Sequence, residues 1–212
     1  MGPPLKILAI GAHPDDVEFG CGGSLAKYAR KGNEVYLLVT TEGHQGGDPT
    51  VRRQEQERAA DVLGAKDVFW GGYRDTELPL NRELIQTIEG VVRRVGPDFI
   101  YVHYFDDTHQ DHRHLATSTV TATRYTRNVL FYEGPTTQNF APVVFTDIEG
   151  LVEVKVAALE AHTSQTLKTN IRDLSIVDIA RASAHFRGIQ GRVGSAEGFV
   201  PLRLFINVDV AA

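Results

Sequence analysis

Short, almost continuously apolar segments alternate with longer amphipathic segments through the first half of this 212-residue chain. The first kind is typical of buried parallel strands and the second of helices. The expected strands are Leu5–Ala12, Val35–Thr40, Val68–Trp70 and Phe99–His103, and the expected helices are Phe19–Lys31, Pro49–Leu63, Asn81–Val95 and Arg113–Tyr125. Because this alternation builds right-handed crossovers, the sequence predicts an α/β fold: a Rossmann-like, three-layer α/β/α arrangement with a mainly parallel sheet.

The pattern is weaker in the second half of the chain. There we expect strands near Val129–Tyr132, Val143–Phe145 and Leu202–Val208, and helices over Leu151–Ala161 and Ile176–Ile189. No internal repeat, low-complexity tract or linker interrupts the sequence. We therefore expect a single domain over residues 1–212.

Charge and cysteine usage restrict the class of partner and the compartment. The net charge is −5, and acidic and basic residues are interspersed, which makes nucleic acid or an anionic membrane an unexpected partner. No apolar run approaches the ~20 residues of a membrane span. Cys21 is the single cysteine, and the opening residues lack the pattern of a signal peptide. We therefore expect a cytoplasmic protein without disulfides.

Ionisable residues collect directly after the carboxyl ends of four expected strands. These segments cover residues 11–16, 41–48, 73–75 and 104–112. In open α/β sheets, ligands bind outside the carboxyl ends of the strands. Four segments that are distant in sequence are therefore expected to meet at one active site.

The first of these segments offers metal ligands. His13, Asp15 and Asp16 supply imidazole and carboxylate groups without thiolate, which suits Zn²⁺ and also admits Fe²⁺ or Mn²⁺. A catalytic zinc has about three protein ligands and one open position. His13 and one of the two aspartates would provide two ligands, and the other aspartate could take a proton from water. A plainer interpretation is that these residues only cap the following helix.

The fourth segment favours the metal interpretation. His109 and His112 lie three residues apart at the expected entry to a helix, so they can face the same way. Asp111 between them can orient an imidazole, as carboxylates behind metal-bound histidines do. A histidine from this segment would complete the ligand set.

These residues resemble the PIG-L/LmbE-like family of metal-dependent N-acetylglucosamine deacetylases. Two segments carry most of the resemblance: Ala12-His13-Pro14-Asp15-Asp16 and Asp107-Thr108-His109-Gln110-Asp111-His112. Further matches include Arg52-Arg53-Gln54-Glu55, Lys155, His162, Ser164-Gln165 and Ala196-Glu197-Gly198-Phe199. The chain departs from the family pattern at Ser195, where relatives carry a tyrosine. An aromatic hydroxyl near the reacting carbonyl would then be missing or supplied by Tyr73 or Tyr104.

The resemblance implies one metal ion per chain, Zn²⁺ or Fe²⁺, with three ligands: His13, Asp16 and His112. It also implies two substrate contacts: Arg52 and Asp107. The expected partner is a small amino-sugar conjugate, and the expected assembly is a homo-oligomer such as a hexamer.

The resemblance further implies that Asp15 is the general base. His109, oriented by Asp111, would assist the oxyanion and then protonate the leaving amine. That acid role requires a pKa of His109 above its usual value of about 6.5, which a charged neighbour would favour.

The function implied is that of a zinc-dependent hydrolase that removes the N-acetyl group from an N-acetylglucosamine-type conjugate with metal-activated water. Two alternatives remain open at this point. One is a two-metal phosphoesterase that uses Asp106, Asp107 and Asp111 as further ligands. The other is a non-catalytic protein that binds sugar or metal.

Overall fold

The structure is a computed structural model that describes residues 3–206. Its strands are β1 (Lys6–Gly11), β2 (Glu34–Thr41), β3 (Asp67–Tyr73), β4 (Phe99–His103), β5 (Asn128–Tyr132), β6 (Val144–Asp147) and β7 (Ala196–Arg203). Its helices are α1 (Asp16–Arg30), α2 (Pro49–Leu63), α3 (Arg82–Val95), α4 (Gln110–Ala122), α5 (Val152–Glu160) and α6 (Ile176–Gly191). The alternation predicted for the first half of the chain is confirmed.

All seven strands form one sheet in the order β3-β2-β1-β4-β5-β7-β6. The five strands β1 to β5 run parallel to one another, β7 pairs with β5 in antiparallel fashion, and β6 pairs with β7 in the same way. Neighbouring residues of β1 enter opposite cores, as the two-residue period of a strand requires: Ile7 packs with α1, α2 and α5, whereas Leu8 packs with α3 and α4. Helices therefore cover both faces, which confirms the predicted three-layer α/β fold.

Several predicted boundaries were wrong, including the start of α1, which was expected at Phe19 but is Asp16. The last strand was expected at Leu202–Val208 but is β7, Ala196–Arg203, and residues 207–208 lie outside the described residues. The segment that forms β7 contains a buried glutamate, a glycine and a proline, so it lacks an apolar strand pattern. Helix α4 was expected from Arg113 but begins at Gln110, because the side chain of His109 accepts the amide hydrogen of Asp111 and so caps the helix.

Helix α1 crosses the sheet unusually close to β5. A β-carbon at Gly20 would lie 2.1 Å from a ring carbon of Tyr132, so only glycine fits this position. The Tyr132 hydroxyl donates a hydrogen bond of 2.8 Å to the carbonyl of Ile10, near the end of β1. This packing fixes the start of α1 relative to the strand ends. Among residues 3–206, no helix has the length and apolar character needed to cross a membrane.

Candidate metal and catalytic site

The predicted site residues lie where the order of the sheet reverses. From β1 the chain crosses to β2 on one side, whereas from β4 it crosses to β5 on the other side. A crevice therefore opens outside the carboxyl ends of β1 and β4, which is the usual ligand site of such sheets. His13 follows β1, and His112 lies in the first turn of α4, which follows β4.

The turn between β1 and α1 has a strained backbone. Asp15 is the N-cap residue of α1 and has φ 93°, a left-handed conformation that aspartate and asparagine tolerate better than most residues. The carboxylate of Asp16 accepts the amide hydrogen of His13 at 2.6 Å. The turn therefore folds back on itself and brings an imidazole and a carboxylate to the same side.

The three predicted metal ligands form a small triangle. Nδ1 of His13 lies 3.3 Å from Oδ2 of Asp16 and 3.3 Å from Nε2 of His112. Nε2 of His112 lies 3.5 Å from Oδ1 of Asp16. Bonds of about 2.0–2.1 Å to a tetrahedral zinc would separate its ligand atoms by about 3.3 Å. The triangle therefore fits a zinc-sized ion.

Both imidazoles of the triangle have a carboxylate on their other nitrogen. Nε2 of His13 lies 3.0 Å from Asp75 and 3.3 Å from Asp111. Nδ1 of His112 lies 3.3 Å from Asp107, without the alignment of a full hydrogen bond. Metal-bound histidines usually have such a carboxylate, which fixes the tautomer and the ring orientation. Three overlapping groups at this place have the composition and spacing of a metal site, and each includes one or two residues of the triangle: His13, His109 and His112; Asp16, His103 and His112; and His13, Asp75 and Asp111.

The charges in the cluster also favour a cation. Burial opposes protonation of His13, but its hydrogen bonds to carboxylates raise its pKa well above the usual value. Burial likewise opposes protonation of His112, and the neighbouring carboxylates raise its pKa to about 9. Burial alone would raise the pKa of Asp16, but the surrounding imidazoles hold it well below the usual range. Positive charge is thus stabilised at the triangle, which is the condition for binding a divalent ion.

Asp107 was predicted to contact substrate, but it is buried beneath His112. Its carboxylate accepts hydrogen bonds from the hydroxyls of Thr136 and Thr137 and from the amide of His109. The pKa of this carboxyl lies below the usual range because these bonds and His112 outweigh its burial. Because the carboxylate oxygens of Asp107 accept these hydrogen bonds, the side chain is placed to orient His112 and not to contact a substrate.

Asp111 also differs from the prediction. Its carboxylate lies against His13 and accepts hydrogen bonds from the amides of Thr76 and Leu78. The sequence predicted that it would orient His109 instead. Asp111 contacts His109 only through its backbone amide. Its carboxylate is instead placed to orient His13.

His109 is half-buried against the other histidines, with ring centroids 4.6 Å from His13 and 4.7 Å from His112. Its Nδ1 accepts the amide hydrogen of Asp111 at 3.2 Å, which assigns the ring proton to Nε2. Burial, His13 and His112 lower the pKa of His109, and together they outweigh the opposite effect of Asp111. The pKa of His109 is therefore lowered, not raised as the sequence predicted, because burial and the two imidazoles together have a larger effect than Asp111.

Arg52, the other predicted substrate contact, is buried and faces the protein. Its guanidinium donates to the carbonyls of Pro14 and Gly43 and lies 3.3 Å from the carboxylate of Asp15. Its Nε is also buried. The side chain of Asp15 keeps 30% of its surface exposed and reaches a cavity. Burial raises the pKa of Asp15 to about 6, and Arg52 limits that rise.

We expect replacement of Arg52 by glutamine to move the acidic limb of the pH–rate profile to higher pH. The cation lowers the pKa of Asp15, so its removal raises that pKa, and a carboxylate that serves as a general base must be ionised. The measurement is kcat/KM for deacetylation across pH. Arg53→Gln is the matched control, since Arg53 is exposed on the same helix and pairs with Glu42. Coincident profiles for both variants would show that Arg52 does not act on the base.

His103 belongs to the site, although the sequence reasoning treated it only as the last residue of a strand. It is buried, its Nε2 lies 3.0 Å from Asp16, and its ring stacks on His112 at 3.8 Å. Burial, followed by His112, lowers its pKa to about 4. The available signal was a histidine that ends an otherwise apolar strand.

A second group that the sequence did not predict lies behind Asp15. Gln56 accepts the amide hydrogen of Asp15 at 3.2 Å and donates to Glu18 at 2.6 Å. His162 lies 3.7 Å from the same glutamate, and both side chains are buried. These residues come from α1, α2 and the segment after α5, so no local pattern reveals their contact.

Ser195 lies away from the triangle. Its hydroxyl is 3.1 Å from Nδ1 of His185 in α6. The hydroxyl of Tyr73 is 2.9 Å from Thr87 in α3, and the ring of Tyr104 packs against Phe105, Phe131 and Phe140. The hydroxyls of Ser195 and Tyr73 therefore both have hydrogen-bond partners away from His13, Asp16 and His112.

Comparison with known proteins agrees with this geometry. The family model described as "PIG-L: GlcNAc-PI de-N-acetylase" matches residues 8–123, which include all three ligands of the triangle. The chain is 37% identical over 167 residues to the "Uncharacterized deacetylase YaiS" of Escherichia coli K12, covering 74% of this chain and 90% of that protein. It is 31% identical over 193 residues to the "Diacetylchitobiose deacetylase" of Thermococcus kodakarensis, covering 76% and 70%.

Solved structures give the same assignment. The N,N'-diacetylchitobiose deacetylase of Pyrococcus horikoshii superimposes with a TM-score of 0.83 at 28% identity, covering 93% of this chain and 83% of that one. The family match, the sequence relatives and the fold agree on the family of this chain. The chain belongs to the PIG-L family and is a hydrolytic N-deacetylase.

Proposed function

We propose that this protein is a zinc-dependent enzyme that removes the acetyl group from an N-acetylglucosamine-type conjugate and releases acetate and a free amine. The observation that carries the proposal is the triangle of His13, Asp16 and His112 with the carboxylate of Asp15 beside it. The named activities of the relatives support the substrate class, since two of them act on diacetylchitobiose.

His13, Asp16 and His112 would hold the ion, and each has the ligand type that zinc accepts. The same nitrogen and oxygen set also admits Fe²⁺. When bound, a divalent ion polarises the amide carbonyl and lowers the pKa of a coordinated water from 15.7 to about 7. Asp75, Asp107 and Asp111 keep the two imidazoles in the orientation and tautomer that this role needs.

Asp15 is the general base in this proposal. Its carboxylate accepts a proton from water as the oxygen attacks the acetamide carbon. The pKa of about 6 suits this task, because the group is then mostly ionised near neutral pH and can still release a proton. We propose that Asp15 returns the proton to the nitrogen as the C–N bond breaks, so that one water is consumed and acetate and an amine are formed.

His109 is proposed as the donor to the oxyanion. Its Nδ1 is engaged by a backbone amide, so Nε2 carries the hydrogen that a developing negative charge would accept. The lowered pKa keeps this imidazole neutral near pH 7, and a neutral donor suffices for that purpose. One well-placed donor contributes about 3–4 kcal/mol to such a transition state. The proton for the amine is therefore assigned to Asp15 rather than to His109.

The two-metal phosphoesterase alternative is disfavoured by the same geometry. Its extra ligands would include Asp106 and Asp107, but Asp106 binds the side-chain amide of Asn139 and Asp107 binds two threonine hydroxyls. A non-catalytic binding protein is disfavoured because the chain is a hydrolytic N-deacetylase.

The proposed function is tested by measuring acetate and free amine from methyl N-acetylglucosaminide. We expect both products in a 1:1 ratio, loss of activity after chelation, and recovery on addition of Zn²⁺. A phosphomonoester assayed in parallel is expected to remain intact. Absence of acetate from the zinc-loaded protein would contradict the proposal.

We expect His109→Ala to lower kcat by about 10²–10³-fold, because the oxyanion loses its donor. His109→Gln should keep part of the activity, since an amide N–H also donates. If the unaltered protein loses rate at high pH, this basic limb of its pH–rate profile should persist in the variant. Zinc content, measured in parallel, is expected to be unchanged in both variants. Loss of the basic limb in His109→Gln would instead make a protonated His109 the acid.

A further inference from the structure

A cavity of about 630 Å³ opens directly beside the proposed base. Asp15 and Asp16 line one end of it, so it is continuous with the reactive triangle. This volume lies within the range of about 300–1,000 Å³ of sites that enclose ligands of drug size. The cavity therefore has room for more than the one sugar ring that carries the acetamide.

The lining includes an apolar wall. Its side chains are Phe19, Ile171, Leu174, Ile176 and Ile179. They come from α1, from the start of α6 and from the loop that precedes α6. Ile171 is 57% exposed at this wall, and Leu174 and Ile176 are half-buried. An apolar group bound here would remove this surface from water, which is favourable in proportion to the area covered.

The charges around the cavity disfavour an anionic group at the same place. Among its lining residues, Lys168 is the one cation, and its ammonium donates to the carbonyl of Gly46. The lining carboxylates are Asp15 and Asp16. A metal ion bound at Asp16 would offset that charge, but the ionised Asp15 would repel a carboxylate or a phosphate placed beside it. Polar groups such as Gln165 and Thr136 lie in the lining and are available to sugar hydroxyls.

We propose that the substrate carries a neutral, apolar aglycone, alkyl or aryl, that packs on Ile171, Leu174 and Ile176 while the acetamide lies beside Asp15. This inference rests on the proposed deacetylation of an amino sugar. It narrows the substrate from N-acetylglucosamine conjugates in general to those with an apolar group attached to the sugar.

The test compares zinc-loaded protein on methyl, butyl, hexyl and phenyl N-acetylglucosaminides, with the carboxymethyl glycoside as the anionic member. We expect kcat/KM for acetate release to rise about fourfold for each added methylene over the first few carbons. The phenyl glycoside should also be preferred to the methyl glycoside, and the carboxymethyl glycoside should be the poorest. Equal values across the series, or preference for the anionic member, would overturn the inference.

A loop variant locates the effect. Ile171→Ser is expected to flatten the dependence on chain length, with a larger loss of kcat/KM for the hexyl glycoside than for the methyl glycoside, because only the longer chain covers this side chain. Leu167→Ser is the matched control, since Leu167 is 81% exposed in the same loop and does not line the cavity. If kcat/KM of Ile171→Ser depends on chain length as it does in the unaltered protein, the apolar wall does not bind the aglycone.

Binding separates this inference from the proposed function. Calorimetry with hexyl and methyl glucosaminides, which lack the acetyl group, measures the contribution of the apolar wall to binding in the absence of turnover. Tighter binding of the hexyl compound, combined with no acetate from any glycoside, would uphold the apolar wall and reject the deacetylation. Equal binding of the two compounds would reject the wall, whatever the turnover.

Discussion

Replacement of Asp15 by asparagine is expected to lower kcat for acetate release by about 10²–10⁴-fold while the bound zinc is retained. The amide cannot accept a proton from water, so the base is lost. Asparagine also tolerates the left-handed backbone that Asp15 adopts at φ 93°, so the turn should persist. The measurement combines steady-state kinetics with zinc content by elemental analysis.

Asp16→Asn is the comparison variant, since it changes the neighbouring carboxylate in the same way. It should lose metal, because Asp16 lies at the ligand triangle, whereas Asp15→Asn should not. Near-normal kcat in Asp15→Asn would show that another group is the base and would refute the proposed division of labour between the two aspartates.

The second large effect is expected on stability, at a break in helix α1. Cys21 has non-helical backbone angles, which leaves backbone groups on both sides of the break without helical partners. The carboxylate of Glu197 accepts the amide hydrogens of Gly23 and Ser24, and the ammonium of Lys155 donates to the carbonyl of Phe19. The two charged groups lie 2.6 Å apart. This buried ion pair therefore supplies hydrogen-bond partners to the backbone groups on both sides of the break.

Lys155→Met is therefore expected to lower the free energy of unfolding by about 3–5 kcal/mol, because it leaves a buried carboxylate without its partner. Urea denaturation measures the loss. The double variant Lys155→Met/Glu197→Gln should recover part of it, since the unpaired charge is then removed. Arg181→Met is the matched control: its pair with Glu153 lies at the surface, and little change is expected. Equal stability of Lys155→Met and the unaltered protein would show that the pair does not hold the helix break.

Local signals predicted much of the first half of the fold. Asp48 and Asn81 accept amide hydrogens of the helices they precede, and Gly64 and Gly96 end those helices with left-handed backbones; these are the residue types favoured at such positions. The last strand was misplaced because the antiparallel pairing of β7 depends on β5 and β6, not on a local apolar pattern.

The site could be predicted only in part for the same reason. The three residues of the triangle lie within two recognisable sequence segments, and the fold brings these two segments together. The partners of those residues depend on distant chain segments: Asp75 reaches His13 from the end of β3, and His162 approaches Glu18 from the end of α5. The single domain and the homo-oligomer remain predictions, and light scattering measures the latter.

The measurement that most directly tests the central claim is anomalous scattering from crystals of the zinc-loaded protein, recorded above and below the zinc edge. We expect one anomalous peak per chain, within bonding distance of His13, Asp16 and His112. A principal peak between His13, Asp75 and Asp111, which also have the composition of a metal group, would contradict it. Two peaks of similar height in one chain would contradict it as well, and would favour a two-metal mechanism.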